Sequence, residues 1–162
     1  MGHQPQITLD EDSKQIVITD EMVFRAAMSR DYRNMQELSI NQEQINFLDS
    51  NNLVLRQLVT LRKLDLSFNK ILKIDNLDSL KELRELNLSF NLIETIDNLH
   101  KIPQLRSVNL NQNKIRALEN LKGLRKLETL SISGNMLEDL TITGGGEPML
   151  ELREINAAKN KI

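Results

Sequence analysis

The sequence predicts an α/β solenoid, and three observations lead to that fold class. First, five similar segments end in an asparagine, at intervals of 22 residues and finally 25: Asn69, Asn91, Asn113, Asn135 and Asn160. Second, seven apolar positions recur in each of the units 61–82, 83–104 and 105–126, and all 21 hold Leu, Ile or Val. Third, each unit alternates apolar and polar residues near its start, as Leu64 and Leu66 do, which is typical of a short strand. A single unit buries too little surface, so successive units have to stack on a shared core.

Length and composition limit the classes of protein to which the chain can belong. Its 162 residues suit one domain, and 40% hydrophobic with 27% charged residues is a folded composition. The net charge of −2 gives no electrostatic reason to expect nucleic acid or an anionic membrane as a partner. The lack of cysteine excludes disulfides, thiolate metal sites and cysteine nucleophiles. Without an apolar run of about 20 residues, the sequence predicts a cytoplasmic protein.

The second half of each unit predicts how the chain returns to the next strand. In the unit 61–82, Ile71, Ile74, Leu77 and Leu80 supply the wall of the core opposite the strand. A period of 22 residues leaves little room for a full α-helix on this side. Short 3₁₀ or irregular segments are therefore expected there.

These residues resemble the leucine-rich repeat family, in its 22-residue subclass with the pattern L-x-x-L-x-L-x-x-N-x-I-x-x-I-x-x-L-x-x-L-x-x. The resemblance runs from about Met35 to Ile162. It implies a right-handed coil with a curved parallel sheet on the concave side and short 3₁₀ or irregular segments on the convex side. It also implies that the repeated asparagines bind backbone groups of the turns and have a structural role: Asn69, Asn91, Asn113, Asn135 and Asn160.

The two ends of the chain depart from the repeat. Residues 1–34 are predicted to form an N-terminal cap, with short strands at residues 6–10 and 15–19 and a helix that Thr19 or Asp20 caps. Repeats are expected over residues 35–162: 35–60 with a four-residue insertion, 61–82, 83–104, 105–126, 127–151 and a partial unit 152–162. Glycines and a proline at 144–148 predict an exposed loop. Because a solenoid needs a polar cap at each end, the missing C-terminal cap indicates that the parent chain continues.

The sequence offers no constellation for catalysis, a cofactor or a metal ion. The two histidines, His3 and His100, have no cluster of partners, and the acidic residues are spread over the repeated surface. The glycines at 144–146 are not followed by the Lys-Ser/Thr that a phosphate-binding loop requires. We therefore predict a protein that is not an enzyme and that needs neither cofactor nor metal.

The concave sheet of leucine-rich repeat proteins commonly binds other proteins, so the resemblance implies a binding site on the outward positions of each unit. These are the third, fifth, seventh and eighth residues. The predicted partner-binding residues are Glu37, Ser39, Asn41, Lys63, Asp65, Ser67, Phe68, Glu85, Asn87, Ser89, Phe90, Ser107, Asn109, Asn111, Gln112, Thr129, Ser131, Glu154 and Asn156. Acidic residues outnumber basic ones on this strip, which favours a mildly basic protein partner.

Phe68 and Phe90 occupy the same position in neighbouring units and admit two interpretations. Aromatic residues are enriched at binding hot spots, so both rings are candidate anchors for a partner. Alternatively, they are structural residues that fill the edge of the strands. The sequence leaves both interpretations open.

The main functional hypothesis is a non-catalytic scaffold that binds a protein partner through its concave face. The segment Ile-Thr-Asp-Glu-Met at residues 18–22, followed by uninterrupted units, is similar to leucine-rich repeat proteins of the centrosome and of axonemes. That similarity implies a targeting module of a larger centrosomal, ciliary or other cytoskeletal protein. The alternatives are a regulatory subunit of protein phosphatase 1, by resemblance to its leucine-rich repeat regulator, or a targeting domain for an enzyme located C-terminally. The chain is expected to be a monomer in isolation.

Overall fold

Short parallel strands run through the computed structural model, which describes residues 14–49, 51–143 and 149–162. In chain order these strands are β1 Glu37–Ser39, β2 Lys63–Asp65, β3 Glu85–Asn87, β4 Ser107–Asn109, β5 Leu118–Glu119, β6 Thr129–Ser131, β7 Ile142–Thr143 and β8 Glu154–Asn156. Six of them form one parallel sheet in the order β1-β2-β3-β4-β6-β8. The predicted α/β solenoid is thereby confirmed, with about five turns of the coil in a row.

The register of the sheet follows the period of the sequence. Leu64 of β2 pairs with Leu86 of β3, which in turn pairs with Val108 of β4. The central residue of each of these strands is buried and its two neighbours point away from the core, as the alternation in the sequence predicts.

The core is aliphatic and continuous. Each of the 21 repeated apolar positions in the units 61–82, 83–104 and 105–126 is buried. Burial of a leucine or isoleucine side chain stabilises the fold by about 1.5–3 kcal/mol, so these positions are a large source of its stability.

The return side of the coil is irregular, with 3₁₀ turns at Leu55–Gln57 and Leu99–Lys101. One feature of this side differs from the prediction, because β5 and β7 form a second, two-stranded parallel sheet there. The β-branched residues Ile142 and Thr143 favour extended backbone, and the longer unit 127–151 brings them beside Leu118 and Glu119.

The helix α1, Asp20–Ala27, precedes the sheet and packs against β1. The Thr19 hydroxyl accepts a hydrogen bond from the N–H of Met22, and Met28 ends the helix in a left-handed conformation. Val23 is buried in the shared core.

The strand predicted at residues 15–19 is wrong, because that segment forms none. Ile16 bonds instead to residues of the first unit: its N–H donates to Asn46 Oδ1 at 2.8 Å, and its carbonyl accepts from the N–H groups of Asn46 and Phe47 at 3.1 and 3.3 Å. The strand predicted at residues 6–10 and the loop predicted at 144–148 lie outside the described residues.

Candidate partner-binding face

The outward side chains of β1 to β4 line an open groove of about 470 Å³. Leu38, Leu64 and Leu86 lie in its floor, and Ala26 of α1 forms part of its wall. The polar side chains that the groove brings together are Glu37, Ser39, Lys63, Asp65, Glu85, Asn87, Ser107 and Asn109. The period of 22 residues aligns them in two rows across the strands, since equivalent residues are paired in register.

The first row is an alternation of charges. Lys63 Nζ lies 3.6 Å from Glu37 Oε1 and 3.5 Å from Glu85 Oε1, so one ammonium group bridges the carboxylates of both neighbouring strands. All three side chains are about half exposed or more, so each ion pair contributes little to stability. With Asp65 in the second row, the groove carries three carboxylates and one ammonium group.

The second row holds Asp65, Asn87 and Asn109, whose side chains support the turn that follows each strand. Asp65 Oδ1 accepts a hydrogen bond from the N–H of Ser67 at 2.8 Å, while Asn87 and Asn109 accept from the N–H two residues later in the same way. An asparagine can therefore replace Asp65 without loss of this bond.

Two of the predicted partner-binding residues, Ser67 and Ser89, are buried and do not belong to the exposed face. The strand has already ended at this position, so the alternation of inward and outward residues no longer applies. The Ser89 hydroxyl donates to Asn87 Oδ1 at 2.8 Å, and the carbonyl of Ser67 accepts from the Asn69 amide at 3.2 Å. Both serines belong to the turn.

The eighth position of each unit has left-handed backbone, with φ of 55° at Phe68 and at Phe90. The two rings stack with centroids 4.3 Å apart and planes 7° from parallel, and each residue is nearly half exposed. At the same position, Gln112 directs its amide over Gly134, where a Cβ would lie 2.3 Å from Gln112 Nε2. An exposed aromatic pair thus follows β2 and β3.

The remaining predicted residues lie outside the groove lining. They are Asn41, Phe68, Phe90, Asn111, Gln112, Thr129, Ser131, Glu154 and Asn156. Thr129 Oγ1 donates to the Ser107 hydroxyl at 2.8 Å, and Asn111 Oδ1 accepts from the N–H of Ser133 at 2.7 Å. This half of the sheet face is polar and uses part of its hydrogen-bonding capacity internally.

The repeated asparagines connect successive turns of the coil. Asn91 Nδ2 donates to the carbonyls of Leu66 and Leu88 at 3.0 Å, and Asn91 Oδ1 accepts from the N–H of Ile71 at 2.9 Å. The same pattern of donation to two strand ends and acceptance from the preceding unit recurs at Asn69, Asn113, Asn135 and Asn160.

Sequence reasoning missed a second column of asparagines on the return side, Asn76, Asn98 and Asn120. All three have φ near 60°, and Asn98 Nδ2 donates to the carbonyl of Ile74 at 2.9 Å. Their spacing of 22 residues is visible in the sequence and could have identified them. Asn120 Nδ2 donates to Asp97 Oδ1 at 2.8 Å, so the Asp97 carboxylate also helps to stabilise these turns.

Asn52 is a further buried asparagine that the period does not reveal. Its Nδ2 donates to the carbonyl of Ile18 at 2.7 Å, while its Oδ1 accepts from the N–H groups of Val54 and Leu55 at 3.1 Å. It occurs once, in the four-residue insertion, so no repeated signal marks it.

Within the described ranges, no group of three or more His, Asp or Glu side chains could hold a metal ion. No helix in that part of the chain is long and apolar enough to cross a membrane.

Comparison with known proteins places the repeats in a family. The family described as leucine-rich repeats (two copies) matches residues 59–101 and 103–144, about half of the chain. A search of curated proteins found no match. A solved leucine-rich repeat protein of Leptospira interrogans is 26% identical, with a TM-score of 0.63 over 80% of this chain and 32% of that one. The functional domain of InlJ from Listeria monocytogenes is also 26% identical, with a TM-score of 0.60 over 79% and 26%.

A third similar structure is the leucine-rich repeat ectodomain of a receptor kinase from Arabidopsis thaliana, at 25% identity and a TM-score of 0.53 over 76% of this chain and 69% of that one. The chain spans about a third or less of the length of the two bacterial proteins. The match to the family over half of its residues, the repeated asparagine contacts and the parallel coil agree: this chain belongs to the leucine-rich repeat family.

Proposed function

We propose that this chain is a non-catalytic protein-binding module that binds a basic segment of its partner in the groove between α1 and β4. The leucine-rich repeat fold suggests a protein–protein interaction module. The observation that carries the proposal is the charge of the groove, whose lining holds three carboxylates and one ammonium group. Lys63 pairs with Glu37 and Glu85, and Asp65 Oδ2 has no partner among the described residues.

The size of the groove suits a short segment of a partner. A volume of about 470 Å³ accommodates a few side chains, and the groove is open to solvent across the strands β1 to β4. A lysine or arginine of the partner would meet Asp65 among the polar side chains that line the groove. The pair of Phe68 and Phe90 lies at the end of the same two strands and offers apolar surface beside the charged contact.

The test is affinity capture from a cell extract with the variant Asp65→Asn/Glu85→Gln, read by mass spectrometry. This pair removes two negative charges, while Asn retains the hydrogen bond to the N–H of Ser67 as Asn87 and Asn109 do in the next strands. We expect the variant to capture at least tenfold less of the basic proteins that the native chain captures.

A matched control removes two charges from elsewhere, in the variant Glu94→Gln/Glu138→Gln. Both glutamates are exposed and lie after the strands rather than on the sheet face. The control should capture the same proteins as the native chain. Identical protein lists for the groove variant and the native chain would contradict the proposal.

The finer hypothesis is that this module targets a larger cytoskeletal protein to the centrosome or cilium, within the cytoplasm. Its support is the similarity of residues 18–22 and the uninterrupted units to proteins of those structures. A fluorescently tagged chain should concentrate at centrosomes or cilia, and Asp65→Asn/Glu85→Gln should become diffuse. Capture of the catalytic subunit of protein phosphatase 1 by the native chain would favour the alternative, a regulatory subunit of that enzyme.

A further inference from the structure

A column of arginines lies at the edge of the sheet where the strands begin. Arg62, Arg84 and Arg106 each precede a strand by one residue and are exposed. The N–H of Arg84 donates to the carbonyl of Arg62 at 2.8 Å, and the N–H of Arg106 donates to that of Arg84 at 2.8 Å. Consecutive members are therefore one strand spacing apart, about 4.8 Å.

Charge compensation is confined to one end of this column. Arg106 forms an ion pair with Glu128, whereas Arg62 Nη1 donates to the neutral amide oxygen of Gln36, Oε1, at 3.5 Å. Arg84 lies between them and has no carboxylate within 4.0 Å in the described part of the chain. Like charges on adjacent strands repel each other, so folding alone does not account for a cation in the middle.

The surroundings reinforce the positive charge. We call the surface formed by Arg62 and by residues 79–84, 101–106 and 123–128 the amino edge. It carries seven basic and two acidic side chains, although the whole chain has a net charge of −2. Lys81 Nζ donates to the carbonyl of Lys101 at 3.3 Å, which holds this ammonium group beside the next unit.

We propose that the amino edge binds an acidic α-helical segment of a protein through the guanidinium groups of Arg62, Arg84 and Arg106. Guanidinium groups bind carboxylates with two parallel hydrogen bonds, which favours arginine over lysine in such a contact. This surface is distinct from the groove, whose lining includes none of the three arginines.

The spacing of the column argues for a helix as the occupant. Carboxylates at positions i, i+3 or i+4, and i+7 of one helix face span nearly two turns, about 10.5 Å. Two strand spacings span about 9.6 Å, so three successive arginines can each meet one carboxylate. In an extended peptide, the side chains on one face recur about every 6.6 Å. This spacing does not match the roughly 4.8 Å between successive arginines.

The probe is a fluorescein-labelled, alanine-based helical peptide of 18 residues with glutamates at i, i+4, i+7 and i+11, measured by fluorescence anisotropy. The variant is Arg62→Gln/Arg84→Gln/Arg106→Gln. We expect the native chain to bind the peptide at 50 mM NaCl, with at least tenfold weaker binding in the variant and in 300 mM NaCl. A peptide of the same composition with its glutamates spread around the helix should bind several-fold more weakly.

The matched control is Lys70→Gln/Lys114→Gln/Arg116→Gln, which removes three exposed positive charges from another side of the coil. It should bind within twofold of the native chain. Four outcomes would overturn the proposal: no binding of the helical peptide, equal loss in both triple variants, equal binding of the rearranged peptide, or tighter binding of poly-uridylate or phosphatidylserine vesicles. Because the groove is intact in both variants, these outcomes are independent of the proposed function.

Discussion

The rings of Phe68 and Phe90 lie face to face, with 4.3 Å between their centroids and 7° between their planes. Both residues have a φ of 55°, a left-handed conformation that costs a non-glycine residue about 1–2 kcal/mol. Contact between the rings adds about 0.5–1.5 kcal/mol beyond burial, which offsets part of that cost. Since each residue is also nearly half exposed, the pair stabilises two units and offers apolar surface at the same time.

Replacement of either ring by glutamine tests this contact. Gln42 and Gln112 occupy the same position with the same left-handed φ, so the backbone tolerates Phe68→Gln and Phe90→Gln. Each single variant should lower the free energy of unfolding by about 1 kcal/mol, because each removes the same stack. The double variant should lose less than the sum, as measured by urea denaturation of all four proteins. Strict additivity would show that the rings do not stabilise each other.

The sequence predicts the repeated part of this fold well, because one physical constraint acts on every unit. Leu64, Leu86 and Val108 have to be buried in register for neighbouring strands to share a core, so a single spacing determines the sheet. The prediction was wrong where that constraint ends. Ser67 and Ser89 lie beyond the three-residue strands, and the turn, rather than the alternation, directs their side chains.

The features that could not be predicted depend on contacts that occur only once. Asn52 lies in an insertion without an equivalent, and its bond to the Ile18 carbonyl joins segments 34 residues apart. The wall that Ala26 adds to the groove likewise depends on how α1 packs against β1, which no repeated spacing encodes. The stacking of Phe68 on Phe90 is different, because their equal positions in neighbouring units predict that the two rings lie side by side.

Asn91→Asp should lower the free energy of unfolding at pH 7 by about 1–3 kcal/mol. The Asn91 amide donates to the carbonyls of Leu66 and Leu88, and a carboxylate would bring negative charge against both oxygens. The acceptor bond from the N–H of Ile71 would survive, so the fold itself should persist. Urea denaturation measures the loss, and an unchanged midpoint would contradict the structural role of this asparagine.

The effect of Asn91→Asp should also depend on pH. Burial against carbonyl oxygens raises the pKa of the introduced carboxyl in the folded state, because the charged form is disfavoured there. The destabilisation relative to the native chain is therefore largest above the folded pKa, and it decreases as the pH falls towards the unfolded value of about 4. Urea denaturation at pH 7, 5.5 and 4.5 follows this trend, and a difference that grows at low pH would contradict it.

Asn98 allows the conformational and hydrogen-bonding roles of the second column to be separated. Its φ is 60°, and its Nδ2 donates to the carbonyl of Ile74 at 2.9 Å. Asn98→Ala should cost about 2 kcal/mol, because alanine loses the bond and disfavours the left-handed region. Asn98→Gly loses the bond alone and should cost about 1 kcal/mol. Equal unfolding midpoints for the two variants would show that the backbone conformation contributes nothing.

Asn52→Ala should detach the N-terminal segment before the repeats unfold. The Asn52 side chain is buried and makes one bond to the Ile18 carbonyl and two to the N–H groups of Val54 and Leu55. Loss of these bonds should cost about 1–3 kcal/mol, concentrated where the segment meets the core. We expect faster hydrogen exchange at Val23, while exchange at Leu86 in β3 stays slow.

The adjacent Asn51→Ala is the matched control for this experiment, because Asn51 is exposed and only its backbone N–H is bonded, to Asp49 Oδ1. It should leave exchange at Val23 unchanged. If residues 14–34 cap the first unit, the release of Val23 in Asn52→Ala should next speed exchange at Ile40, whose N–H is bonded to the Asp65 carbonyl in the first turn of the coil. Uniform acceleration at Ile40 and Leu86 would instead mean that the segment and the repeats unfold as one unit, since a local cap protects only the end that it covers.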